Sequence, residues 1–186
     1  ITYDQALAFS ERFEYPSFVS VSSLASMLAT VKYESKKTNP NVRVIGSDPS
    51  YLQTSGYKLE SGRNFLPTNM KSGAHVCIVG RDGVTMLFEN ENPLDKFVSI
   101  GAAKYKIIGV LEEKGNSIGM NADNQCLVTL SNVRQYYYRP GMSFTISVQA
   151  LGPEFLDETI SEATGMFRIV RKVPPGEDSS FEITKS

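Results

Sequence analysis

The stretch from residue 57 to residue 115 decides the fold. It reads YKLESGRNF (57–65), then VCIVG (76–80), then a short amphipathic turn ending in Leu87 and Phe88, and closes with YKIIGVLEEKG (105–115). Three short apolar runs are each punctuated by glycine, and a brief helix is expected between the second and third. That is a compact β-rich unit, and it holds no evident catalytic set. The segments on either side decide how it is read.

Upstream, residues 2–13 predict a helix with Tyr3, Ala6, Leu7, Phe9 and Phe13 on one stripe, capped by Thr2 and stopped by Pro16. Phe18–Val21 and Ala29–Tyr33 read as strands, while residues 23–28 fit either state. Residues 36–41 form a polar turn and 41–46 the returning strand, giving a hairpin with a polar tip. Asp48 before Pro49 opens a short helix over 49–54.

Downstream, residues 125–130 predict a strand, and Ser131 caps a short helix to about Tyr137. Residues 143–149 alternate as a half-buried strand does. The longest helix runs from Pro153 to about Lys172. Leu156, Ile160, Ala163, Phe167 and Val170 form its stripe, with acids at its start and bases at its end. The order of elements indicates an α+β fold of two lobes. Residues 1–46 with 142–186 make a discontinuous α/β lobe from both chain ends, and 47–141 make an inserted β-rich lobe.

With 186 residues, 41% hydrophobic and 21% charged, a sizeable core is expected and disorder is not. A formal net charge of −1 gives no basic excess for nucleic acid. The local basic cluster Lys32, Lys36 and Lys37, with Arg43 nearby, is interrupted by Glu34. No apolar run is long enough to span a membrane, and the first residues are helix-start chemistry in place of a signal peptide. A chain starting at Ile1 reads as a fragment of something longer or as a processed product. Cys77 and Cys126 both lie in apolar runs and are expected as buried thiols in preference to a bridge.

Composition removes most chemistry. The single histidine, His75, has only Cys77 beside it, too few ligands for a zinc site, so no metal is expected. No Gly-x-Ser-x-Gly elbow accompanies His75 for a nucleophilic triad. Residues 79–83, VGRDG, sit between a strand and a helix as a phosphate loop would. Their spacing matches no nucleotide fingerprint, and a tight turn is the reading preferred. Glu112 with Glu113, and Glu89, Glu91 and Asp95, read as solvated loop carboxylates. The run Tyr136, Tyr137, Tyr138, Arg139 differs. Consecutive tyrosines on a helix end cannot share a buried face, so at least one is expected at the surface, beside an arginine, as at contact surfaces.

Taken in order, several motifs resemble the extracytoplasmic core domain of MacB-like permeases in the MacB/FtsX/LolC group of ABC transporters. These are VIGSDPSY (44–51), LESGRNF (59–65), VCIVG (76–80) with Leu87 and Phe88, KIIGVL (106–111), and the last helix followed by DSSFEI (178–183). One departure is Asp95, where the family usually has a glycine, and a changed turn is expected there. The resemblance implies a domain outside the cytoplasmic membrane, with a porter-like lobe from both ends and an inserted, sabre-like lobe. It implies no active site and no cofactor. The partners implied are the flanking transmembrane helices, a cytoplasmic ATP-binding domain or subunit, a second permease copy and an envelope adaptor protein. The implied role is coupling of ATP hydrolysis to efflux, lipoprotein release or signalling. The weaker alternatives are a secreted or cell-envelope hydrolase built on His75 or a carboxylate pair, and a free-standing envelope adaptor module.

Partner contact is expected at two loops and one helix end: Lys36, Lys37 and Asn39 in the hairpin tip, Ile118 and Met120 in the loop 116–123, and Tyr137 with Tyr138. Both chain ends are expected on one side of the fold, because both would return to one membrane.

Overall fold

A computed structural model describes residues 1–115 and 122–186 of the chain. In chain order its elements are α1 (Tyr3–Arg12), β1 (Ser17–Ala29), β2 (Val31–Tyr33), β3 (Lys36–Lys37), β4 (Val42–Ser47), α2 (Tyr51–Ser55), β5 (Leu59–Gly62), α3 (Pro67–Ser72), β6 (Val76–Val79), α4 (Arg81–Phe88), β7 (Phe97–Ile100), β8 (Ala103–Leu111), β9 (Gln125–Thr129), α5 (Leu130–Tyr136), β10 (Thr145–Ala150) and α6 (Leu156–Val170). The fold is α+β on a ten-stranded mixed sheet.

The hairpin is longer than its sequence suggests. β1 pairs antiparallel with β4 from Ser22↔Ser47 to Ala29↔Val42, and β2 with β3 at Lys32↔Lys37 and Tyr33↔Lys36. Residues 17–33 and 36–47 are therefore two arms of one bent hairpin, irregular near Ser26 and turning at Glu34, whose φ is 52°. The polar run 36–41 is not the turn: Lys36 and Lys37 are strand residues. Pairing overrides their weak strand preference.

The hairpin's outer edge also pairs with β7, at Val31↔Ile100 and Lys32↔Ser99. Since β4 pairs with β9, β9 with β6, β6 with β8, and β8 with β7, the strands close into a ring. Its six sides are β1/β2, β3/β4, β9, β6, β8 and β7. Alternation then sorts side chains into the ring and out of it. Val44, Cys77, Val79, Ile107, Cys126 and Val128 belong to the main core, which α4 closes with Val84, Leu87 and Phe88 and α5 with Leu130 and Val133. Their neighbours Ile45, Ile78, Ile108 and Leu127 form a second core with Leu52 of α2 and Phe65. Both faces of these strands are buried, which is why their sequences run apolar without polar alternation.

A third, small core joins the chain ends. Phe9 of α1 packs with Ala163 and Phe167 of α6, and Ile1, Val19, Val148 and Phe181 pack against them. β10 joins this core to the sheet by pairing with β1 over Ser17–Ser22. Beyond Ser22 the hairpin contributes Val31, Val42 and Val44 to the core of the ring.

Local chemistry explains the helix starts. Thr2 and Gln5 form a reciprocal capping box on α1. The cap of α5 is Thr129, whose hydroxyl accepts from the Asn132 amide, and not Ser131, whose hydroxyl donates to the Met70 carbonyl at 2.6 Å. α3 opens on Pro67, a start the sequence reading does not anticipate.

Candidate partner-contact surface

The hairpin tip presents its two faces differently. Tyr33 and Lys36 are opposite each other and turn toward α4: the Tyr33 ring packs on Phe88 at 4.2 Å, its hydroxyl donates to Glu91 at 3.0 Å, and Lys36 pairs with Glu89 at 3.3 Å. Burial, with the carboxylates of Glu91 and Glu34 nearby, pushes the Tyr33 hydroxyl up to about 12. Lys36 is thus engaged within the chain. Lys37 is opposite Lys32 on the outer face of the ring. Thr38 is buried and locks the tip: its amide donates to the Val31 carbonyl at 2.9 Å, and its hydroxyl accepts from the Val31 amide at 3.0 Å. Asn39 follows, exposed.

Register extends that outer face. Lys37 pairs with Lys32, Lys32 with Ser99, and Ser99 with Lys104, so these four side chains stand in one row across four strands. Phe97, opposite Lys106, flanks the row and is 60% exposed. An open cleft of about 320 Å³ adjoins it, lined by Leu28, Ala29, Lys32, Ser99, Gly101 and Tyr137.

The three tyrosines take three roles. The Tyr136 hydroxyl meets His75 Nε2 at 2.9 Å, while His75 Nδ1 faces the Lys104 carbonyl at 3.2 Å. A carbonyl only accepts, so Nδ1 carries the proton and Nε2 accepts from Tyr136. Tyr137 is half-buried in the cleft wall, and burial raises its hydroxyl pKa. Tyr138 is 73% exposed. Arg139 reaches back to the Ala25 and Leu24 carbonyls at 3.4 and 3.5 Å, tying this end to β1. Ile118 and Met120 lie outside the described residues.

His75 has both nitrogens committed to Tyr136 and a backbone carbonyl. Among the described residues no three His, Cys, Asp or Glu side chains converge. In VGRDG, the Gly80 and Asp82 amides donate to the Gln125 and Asp123 carbonyls at 2.8 and 3.1 Å, so donors that would cradle a phosphate hold β9 to the start of α4. Glu89, Glu91 and Asp95 are paired with Lys36, Lys96 and Lys106.

Lys32, Ser99, Lys104, Phe97 and Leu28 were all absent from the residues expected for contact. Alternation over 103–107 places Lys104 and Lys106 on one face, a signal that was readable. Their alignment with Lys32 and Lys37 depends on the β2–β7 register, which no local pattern encodes.

The family model described as MacB-like periplasmic core domain matches residues 1–168. Among curated relatives, a macrolide export ATP-binding/permease protein MacB from Syntrophobacter fumaroxidans is 28% identical over 122 residues, 65% of this chain and 17% of that protein. The protein of the same name from Chlorobium phaeobacteroides is 22% identical over 174 residues, 88% of this chain and 26% of its own length. The chain therefore spans only a fraction of these relatives. Among solved structures, the extracellular domain of the noncanonic ABC-type transporter YknZ from Gram-positive bacteria superposes with a TM-score of 0.72 at 20% identity, covering 92% of this chain and 84% of that one. The periplasmic region of MacB from Actinobacillus actinomycetemcomitans gives 0.69 at 18% identity, covering 92% and 75%. At these identities the superpositions speak for the fold.

Proposed function

The chain belongs to the MacB-like periplasmic core domain family, and from that membership we propose that it is a non-enzymatic extracytoplasmic domain of an ABC-transporter permease. In this reading it transmits movement of flanking transmembrane helices, driven by a cytoplasmic ATP-binding domain or subunit, to partners outside the membrane. The output is efflux, lipoprotein release or transmembrane signalling, with a second permease copy and an envelope adaptor as partners. The relatives carry ATP-binding and permease functions in their names, and no step of chemistry is assigned to this domain.

The observation that carries the reading is the shared strand. β1 pairs with β10 in the terminal lobe through Ser22 and with β4 in the ring from Ser22 onward. Ile1 and Phe181, near the two ends, pack against one small core in that terminal lobe. We read residues 1–22 with 144–186 as one lobe and 23–143 as the other. Displacement of the ends then reaches the ring through a continuous, hydrogen-bonded strand and not through a loop. The test is a two-glycine insertion after Ser22 in the full-length permease. Transport should be lost while ATP hydrolysis persists; unimpaired transport in a folded variant overturns the reading.

A further inference from the structure

We propose that the outer face of β2, β3, β7 and β8 docks an acidic segment of a partner protein, with an apolar side chain of that segment seated in the adjoining cleft. The proposal rests on the reading that this domain works through protein contacts, and it assigns the face, the charge and the shape of one of them.

The lysines in and around these strands differ in their charge partners. Lys36, Lys96 and Lys106 each have a carboxylate within ion-pair distance, at 3.3, 3.7 and 3.6 Å. Among the described residues, Lys32, Lys37 and Lys104 have none. These three stand in the row Lys37, Lys32, Ser99, Lys104, which crosses four adjacent strands and is about 14 Å long at the usual strand spacing. Like charges directly opposite on a sheet destabilise it, and Lys32 opposite Lys37 is such a pair. A carboxylate placed between them converts that repulsion into two attractions.

Apolar surface accompanies the charge. Leu28 is 79% exposed on the cleft rim, Phe97 is 60% exposed beside the row, and Ala29 and Tyr137 line the cleft. Such a surface fits an amphipathic acidic segment better than a purely ionic ligand. It also fits a discrete peptide better than an anionic membrane. Asp95, in the turn before β7, pairs with Lys106 opposite Phe97, its side chain 80% exposed, and Glu34 is exposed at the hairpin turn. Pressed onto a planar anionic layer, both would meet like charge, whereas a narrow segment passes between them.

The test uses this chain and its Lys32→Gln/Lys37→Gln/Lys104→Gln variant, with a fluorescein-labelled peptide of repeating Glu-Glu-Leu as probe and fluorescence anisotropy as readout. Three exposed ion pairs combine to roughly tenfold in affinity, so the variant should bind about tenfold more weakly. Binding to the unaltered chain should fall as added salt shortens the Debye length from about 30 Å to about 8 Å. The variant should melt no lower than the parent, since it removes a repulsive pair; equal melting with weakened binding separates docking from a folding defect. Equal peptide binding by parent and variant overturns the proposal. So does preferential binding of the parent to phosphatidylcholine vesicles containing phosphatidylglycerol. If peptide binding fails while the Ser22 insertion still uncouples transport, this inference falls and the proposed function stands.

Discussion

The Asp48 carboxylate accepts the Val21 amide at 2.8 Å, just beyond Ser22↔Ser47, where the backbone ladder between β1 and β4 ends. A side chain thus extends the ladder by one bond, where β1 passes from pairing with β4 to pairing with β10. Burial pushes the Asp48 pKa from 3.8 up to about 6, against the lowering effect of the Val21 and Ser50 amides. A folded-state pKa above the unfolded one means that the folded protein holds this proton more tightly. Its stabilising contribution is full below about pH 4 and is lost as pH rises through about 6. The expected loss is on the order of 2 kcal/mol. Urea unfolding of the parent and of Asp48→Asn across this window measures it. The parent should gain on the variant as pH falls, and parallel profiles would rule the assignment out.

Gly80 leaves no room for a side chain. A Cβ there would overlap the Asp123 carbonyl oxygen, which is backbone and cannot rotate away. Gly80→Ala should therefore cost about 2 kcal/mol or more by forcing β6 and the start of α4 off β9. A nearby control is Gly83→Ala, where the closest atom is a methyl of Val79 at 3.1 Å. That substitution gains helix propensity and should cost far less. Equal urea midpoints for the two variants would contradict the packing argument.

Asp95 has a φ of 66°, in the left-handed region that glycine adopts without strain. The turn keeps a glycine-like backbone although the residue is an aspartate, whose short polar side chain tolerates that region better than most. Its ion pair with Lys106, at 3.6 Å and largely exposed, offsets little. Asp95→Gly is expected to be neutral or to stabilise by up to about 1 kcal/mol by thermal melting. A loss of more than that amount would show that the carboxylate matters more than the backbone.

Much of this fold was legible because its signals are local. The stripe of α6, the cap of α1, the alternation of β10 and the glycine-punctuated runs of β6 and β8 each depend on neighbours within a few residues. The ring was not legible, because it is closed by Val31↔Ile100, a pairing of segments about seventy residues apart. Residues 23–28 were ambiguous for a related reason. Their serines and their outward Leu24, Met27 and Leu28 carry no strand pattern, and β4 imposes the extended state on them. The exposure of Tyr138 was readable from helix geometry. The separation of Lys36 from Lys37 was not, since adjacent lysines face opposite ways only once the segment is known to be a strand.

Cys77 and Cys126 lie on adjacent strands, offset from each other by one alternation, since Cys77 is opposite Val128 and Cys126 opposite Val79. Both are free and buried; burial pushes the Cys126 thiol up to about 12 and raises the Cys77 thiol well above its usual range. Reactivity requires the thiolate, so neither should react with Ellman's reagent at neutral pH in the folded protein. Both should titrate at once in denaturant without reductant. Titration of neither would mean a bridge, and prompt reaction of either when folded would mean an accessible site.

Arg168 fixes the last segment to α6. Its guanidinium donates to the Glu177 carbonyl at 2.7 Å, the Pro174 carbonyl at 3.1 Å and the Ser179 hydroxyl at 2.9 Å. Phe181 then packs edge-on against Phe167 at 4.7 Å, within the core that also receives Ile1. One planar fork thus holds three acceptors from a segment with no regular structure, and its release should free that segment alone. Arg168→Ala is expected to speed amide exchange over residues 176–181 by roughly tenfold, while β4 and β9 keep their protection. Arg168→Lys should not restore protection, because an ammonium is a point donor without the fork's spread. Unchanged exchange in Arg168→Ala would mean that the Phe167–Phe181 contact alone holds the segment, and Phe181→Ala would then produce the release.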